Sequence, residues 1–268
     1  MKKYLKLIKE NSTKYSNFFK TSILGLVLIF AFFFLSSTFD FFSQTDTDKD
    51  FITPKPRLSA NAIEQLFKDT KNDLNEIRKT KLVNISNSVD RLPKQIRNIE
   101  NAKERKKLFI QIVLPLIIEE NIEIRLDRKK LFIILNKNNN STIEKKWLDN
   151  KFKQYGVVNQ DFATLKIKMD EIPVSLAIAQ AAKETGWGTS RFALEGNALF
   201  GQWTWNGEGI KPTLAGSNTK HKIMKFKILQ ASVRAYQKNL NTHSSYREFR
   251  KARAIQRDND GKLNSLKL

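Results

Sequence analysis

Cysteine is absent from the 268 residues. Disulfides, thiolate metal sites and a cysteine nucleophile are thereby excluded, while the compartment stays open. Histidine is almost absent too, with only His221 and His243. A His-rich metal centre is therefore not expected, no cofactor is implied, and acid–base chemistry falls to carboxylates. Acidic residues are scarce beside basic ones: 27 Asp and Glu against 48 Lys and Arg give a formal charge of +21. Such an excess favours a polyanionic neighbour, whether nucleic acid, anionic lipid or an acidic wall polymer. A compositional explanation is equally open, because Lys, Asn and Ile are abundant throughout, as a biased base composition would make them. What is present suffices for folding, since 40% hydrophobic and 28% charged residues at this length can bury one sizeable core or two small ones.

Long apolar runs are also rare, and the one that spans a membrane's thickness lies near the N-terminus. Residues 21–39, "TSILGLVLIFAFFFLSSTF", carry no charge and are bounded by Lys20 and Asp40. That length crosses a bilayer as one helix. Lys2, Lys3, Lys6, Lys9, Lys14 and Lys20 precede it against the single Glu10, which keeps the N-terminus cytoplasmic by the positive-inside bias. The rest of the chain is then extracytoplasmic, and a nucleic-acid partner is not expected. A cleaved signal peptide is the competing reading, since Ser36 and Ser37 are small; the long basic n-region and Leu35 speak against it.

The sequence divides into a basic segment (1–20), an anchor (21–39), a polar linker with prolines (40–57), a helical support region (58–155) and a catalytic region (156–268). In the support region, "AIEQLFKDTKNDLNEI" places Ile63, Leu66, Phe67, Leu74 and Ile77 at helical spacing. The run "KLFIQIVLPLII" is too short to span a bilayer and predicts a buried helix with Pro115 near a bend or end. "NKNNNS", 136–141, predicts a polar break. Turns and large flat side chains concentrate after residue 166, where every tryptophan except Trp147 beyond the linker is found.

There, "DEIPVSLAIAQAAKETG" has Pro173 at its start and Gly186 at its end, the punctuation of a helix. Leu176, Gln180 and Glu184 fall on one face, a turn apart. Glu184 thus sits in the last turn, where the macrodipole disfavours a carboxylate. It is either an ordinary surface residue or one kept for chemistry. Partial desolvation by Trp187, Phe192 and Phe200 would add to the dipole in holding the proton, as a general acid for glycoside cleavage requires. Beyond it, "LFGQWTWNGEGI" carries Trp203 and Trp205 two apart, ahead of Asn206-Gly207, a strong hairpin-turn signal. Core packing and a sugar-stacking platform are both open readings of the two indoles.

These residues resemble a known family. "LAIAQAAKETGWGTSRFALEGNALFGQW" and "SVRAYQKNLNTHSSYREFRKAR" are similar to the signature of the bacterial peptidoglycan N-acetylglucosaminidases of glycoside hydrolase family 73, which includes the flagellar rod-associated wall hydrolase. The Bax-like branch is the nearest in kind, and "KERKKLFIQIVLPLIIEENIEI" extends the likeness back weakly. The resemblance implies a lysozyme-like α+β fold, mainly helical with a small β-hairpin lobe. It implies Glu184 as the catalytic acid and Tyr246 as the tyrosine that closes the site, in a motif opened by Tyr236. Asn197, Phe200 and Gly201 match the N-x-x-F-G block lining the cleft, and Glu195 matches a position that braces the loop. The partners implied are peptidoglycan glycan strands and the inner membrane.

One departure bears on mechanism. Where many relatives carry a second glutamate in a T-x-E-Y segment, this chain reads "GIKPTLAG". Between Glu195 and Glu248 the only carboxylate is Glu208. Three routes follow: Glu208 activating a water, attack by the substrate's own N-acetyl group, or lytic transglycosylation, which needs one acid/base. The resemblance favours cleavage after N-acetylglucosamine; the missing glutamate favours the single-carboxylate routes. A non-catalytic wall-binding protein is the rival from another class.

Overall fold

Pro54 to Pro56 lead into a series of helices, several of which start at a side-chain cap. In the computed structural model, residues 53–263 are described, except Lys81, Asn87, 213–220 and Lys262. The segment 21–39, expected to be an anchor, lies outside the described residues. Among the described residues, no helix is long and apolar enough to cross a membrane.

Helix α1, Ala60–Asp69, begins where Ser59 Oγ accepts from the Ala62 N–H, and it buries Ile63 and Phe67, two of the residues its spacing selects. Helix α2, Leu74–Thr80, is short. Helix α3, Ala102–Leu135, is the longest among the described residues, 34 residues capped by Asn101 and so about 50 Å long. It continues past Pro115 rather than ending there. The ring removes one backbone donor, but Ile112, Val113, Leu116 and Ile117 around it are all buried, and their packing outweighs that loss. The polar break at 136–141 is found as expected. It leads into α4, Thr142–Gln154, whose start is a reciprocal capping box between Ser141 and Glu144.

Helices α5, Phe162–Lys168, and α6, Val174–Thr185, follow, then α7, Arg191–Gly196. After a small sheet come α8, Leu229–Thr242, and α9, Arg247–Asp260. Strands β1 (Trp203–Thr204), β2 (Gly209–Ile210) and β3 (Lys222–Met224) are antiparallel in the order β1-β3-β2. The expected hairpin is therefore corrected. A turn does form, with Gly207 N donating to Thr204 Oγ1 at 3.0 Å, but β1 and β2 do not pair. Both pair with β3, Trp203 opposite Ile223 and Ile210 opposite the same residue. Ile223 is the buried member of the lobe, and covering it from two sides is worth more than one two-stranded ladder.

Residues 51–268 make up one compact unit. Its main core draws on both sides of residue 155, joining Phe67, Leu92, Phe109 and Ile112 to Ala177, Ala181, Leu199, Val233 and Leu240. A second cluster, Leu131, Ile134, Leu148, Phe152, Leu165 and Met169, ties the far half of α3 to α4 and α5. The result is a mainly helical α+β structure with a small sheet, the composition expected of a lysozyme-like domain.

Two polar clamps fix where α6 starts. Buried Asn121 of α3 donates to the Ile172 carbonyl at 2.8 Å and accepts from the Ile172 N–H at 3.0 Å. Arg253 of α9, fully buried, donates to the carbonyls of Ile167 (3.0 Å) and Glu171 (3.2 Å) and to Asn241 Oδ1 (2.8 Å). Asp170 lies beside it and is also held by Arg257. Burial pushes the Arg253 guanidinium down to about 10.

Candidate active site

Helix α6 ends as its sequence predicts. Gly186 takes φ +56° and its N–H returns to the Ala182 carbonyl. Trp187 continues in the left-handed region at φ +62° and donates to the same carbonyl at 2.9 Å. Gly188 follows at φ +84°, where a Cβ would stand 2.9 Å from Phe109 Cδ2 and 3.0 Å from Ile96 Cδ1; only glycine passes. The Gly-Trp-Gly turn is thus the device that stops the helix against α3 and leaves its last turn at the surface.

Glu184 occupies that last turn and is exposed. Among the described residues, no hydrogen bond or ion pair engages its carboxylate. The aromatic enclosure expected from the sequence is not found. Trp187 turns inward onto Phe109, edge to face at 6.0 Å, with Lys106 Nζ 5.0 Å from its ring. Phe192 carries the Arg191 guanidinium at 5.1 Å. Phe200 spends its face on Tyr236, centroids 3.8 Å apart and planes within 6°. What does touch Glu184 is Gly201: at φ +59°, its missing Cβ would be 3.1 Å from Oε2. The loop after α7 therefore lies against the carboxylate because it carries no side chain at that point.

Tyr236 of α8 is buried, and its hydroxyl donates to Gln180 Oε1, one turn before Glu184. Burial pushes the phenol above its usual range, and Tyr246 nearby adds to this. Tyr246, half-buried at the junction of the 3₁₀ turn Ser244–Tyr246 and α9, is raised by burial as well. Glu184, Gly201, Phe200, Tyr236 and Gln180 thus form one connected group, with Tyr246 near enough to raise the Tyr236 phenol.

The other expected residues fall elsewhere. Asn197 is buried at φ +52° and spends its amide on the carbonyls of Phe226 (2.9 Å) and Lys227 (3.1 Å); it faces inward as a clamp between the α7 loop and the start of α8. Glu195 is exposed and pairs with Arg191 at 3.7 Å. Glu208 is exposed on the turn between β1 and β2, with its backbone carbonyl accepting from Lys225. Trp203 is 53% exposed, and Trp205 is half-buried just past β1. Both flank His221, at 4.0 and 5.6 Å between ring centroids. Sequence reasoning singled out neither His221 nor Gln180 as site residues, although the one-turn spacing of Gln180 and Glu184 was a usable signal.

The chemistry such a group supports is acid–base work on a ligand at the surface, and comparisons with known proteins bear on which ligand. Residues 160–265 match the Glucosaminidase family, described as mannosyl-glycoprotein endo-beta-N-acetylglucosaminidase. That stretch contains every residue of the site and is similar to that family. Over 171 residues the chain is 34% identical to Protein bax of Escherichia coli (strain K12), covering 62% of this chain and 61% of that protein. The chain thus spans less than two thirds of that relative's length. No solved structure matches.

Proposed function

We propose that the protein is a peptidoglycan hydrolase that cleaves the glycan strand after N-acetylglucosamine, with Glu184 as general acid. The observation that carries this reading is the exposed Glu184 carboxylate, without a partner among the described residues and resting on Gly201, within a stretch similar to the glucosaminidase family. Glu184 protonates the leaving glycosidic oxygen. Tyr236 reaches the acid's helix through Gln180, Tyr246 closes the site in this reading, Phe200 and Gly201 form the adjoining wall, and Trp203 and Trp205 offer faces for sugar rings. Glu208 is the one candidate for a second carboxylate, and Asn197 supports the wall from behind. Residues 21–39 hold the enzyme in the inner membrane with its N-terminus in the cytoplasm and the catalytic domain outside, so its partner is the wall rather than nucleic acid.

A second reading, lytic transglycosylation, is favoured by the exposure of Glu208 and by the lack of an acid in 209–216. In that route one acid/base suffices: it protonates the leaving glycosidic oxygen, then takes the proton of the muramic C6 hydroxyl as that oxygen closes on the anomeric carbon to give the 1,6-anhydro ring. A zymogram on purified peptidoglycan followed by mass spectrometry of the products tests both. Reducing N-acetylglucosamine ends support the hydrolase; anhydromuramic ends replace it with the transglycosylase. No clearing at all would leave a wall-binding protein.

A further inference from the structure

Gln180 lies one turn before Glu184 on the same face of α6, so the two side chains are neighbours, with about 5–6 Å between their Cβ atoms. It is half-buried. The Tyr236 hydroxyl donates to its Oε1, and Tyr236 is itself immobilised by burial and by the stacked Phe200 ring. A buried phenol must donate its proton somewhere, and among the described residues Gln180 is the acceptor it has. That bond decides which way round the amide sits. Oxygen is engaged by Tyr236, and among the described residues no group takes up the amide N–H.

We infer that Gln180 is a specificity residue that recognises the N-acetyl group of the sugar bound beside Glu184. With its oxygen engaged by Tyr236, the side chain offers chiefly its N–H donors. A hydroxyl can meet those donors only with its acceptor side, whereas an acetamido carbonyl is a pure acceptor and the better complement. Tyr236 acts through Gln180 as a positioning residue. This assignment rests on the reading of the site as a glycan-cleaving cleft.

The test is binding by calorimetry to Glu184→Gln protein, which does not turn the ligand over. The ligands are the β-1,4-linked N-acetylglucosamine tetramer and cellotetraose, the same chain without acetamido groups. The parent prefers the N-acetylated ligand. Gln180→Glu keeps an acceptor for Tyr236 but removes the donor, and it reduces that preference by about tenfold, the scale of a lost hydrogen bond with its partner left unpaired. Tyr236→Phe frees the amide to rotate and reduces the preference by a smaller factor. Gln180→Met supplies the same comparison should the glutamate variant fail to fold. A folded Gln180 variant that keeps the full preference overturns the assignment while leaving peptidoglycan cleavage by the wild type untouched. A parent that binds neither ligand overturns the glycan-cleft reading and this assignment together.

Discussion

Phe200 and Tyr236 stack face to face, their centroids 3.8 Å apart and their planes 6° from parallel. One ring comes from the loop after α7 and the other from α8, so the stack joins the loop that carries Gly201 to the helix that anchors Gln180. The acid is thereby flanked by a wall whose position depends on two distant parts of the chain.

Glu184→Gln is expected to abolish peptidoglycan cleavage in a folded protein, since glutamine keeps size and hydrogen bonding but cannot serve as the acid. The loss should be about 10²–10⁴-fold, the usual contribution of general acid catalysis. Glu208→Gln should cost appreciably less, because that side chain stands on the turn between β1 and β2 rather than against Gly201. Turbidity and product assays measure both. Equal damage from the two would require a paired-carboxylate mechanism instead.

Gly201→Ala should impair the site from beneath. An alanine at φ +59° is strained, and its methyl would lie 3.1 Å from Glu184 Oε2. We expect about 1–2 kcal/mol of lost stability and a drop of about ten- to a hundredfold in kcat/KM from the displaced carboxylate. Retained activity would show that the loop yields without moving Glu184.

Trp203→Ala should weaken glycan binding at little cost in stability, under about 1 kcal/mol, because the indole is 53% exposed and leaves no cavity. Trp205→Ala removes a half-buried ring and should cost more. Thermal denaturation beside oligosaccharide binding separates the two effects. Several kcal/mol from Trp203 would make it a core residue.

Arg253→Ala should be among the most destabilising single changes, about 3 kcal/mol or more. It removes a fully buried guanidinium and strands the carbonyls of Ile167 and Glu171 as well as Asn241 and Asp170. Chemical denaturation measures this. A loss under about 1 kcal/mol would mean that Arg257 alone holds Asp170 and the start of α6.

The topology can be tested separately. A reporter fused after Leu268 that requires export should be active, and one that works only in the cytoplasm should be silent. Mature protein beginning near residue 38 would replace the anchor with a cleaved signal.

Local rules written into the sequence determined much of what the structure contains. Ile63 and Phe67 are buried as their spacing demands, Gly186 ends α6 in the left-handed conformation, and the break at 136–141 falls between α3 and a capped α4. Each is a contact within a turn or two of chain, where sterics and one or two hydrogen bonds settle the outcome. Glu184 was legible for the same reason, standing in the last turn of a helix whose ends are both marked. The tertiary structure alone decided that α3 continues past Pro115, that β3 inserts between β1 and β2, that Trp187 and Asn197 face inward and that Tyr236 orients Gln180. These outcomes depend on which distant surfaces bury one another, a sum over many weak contacts that no short window of residues contains.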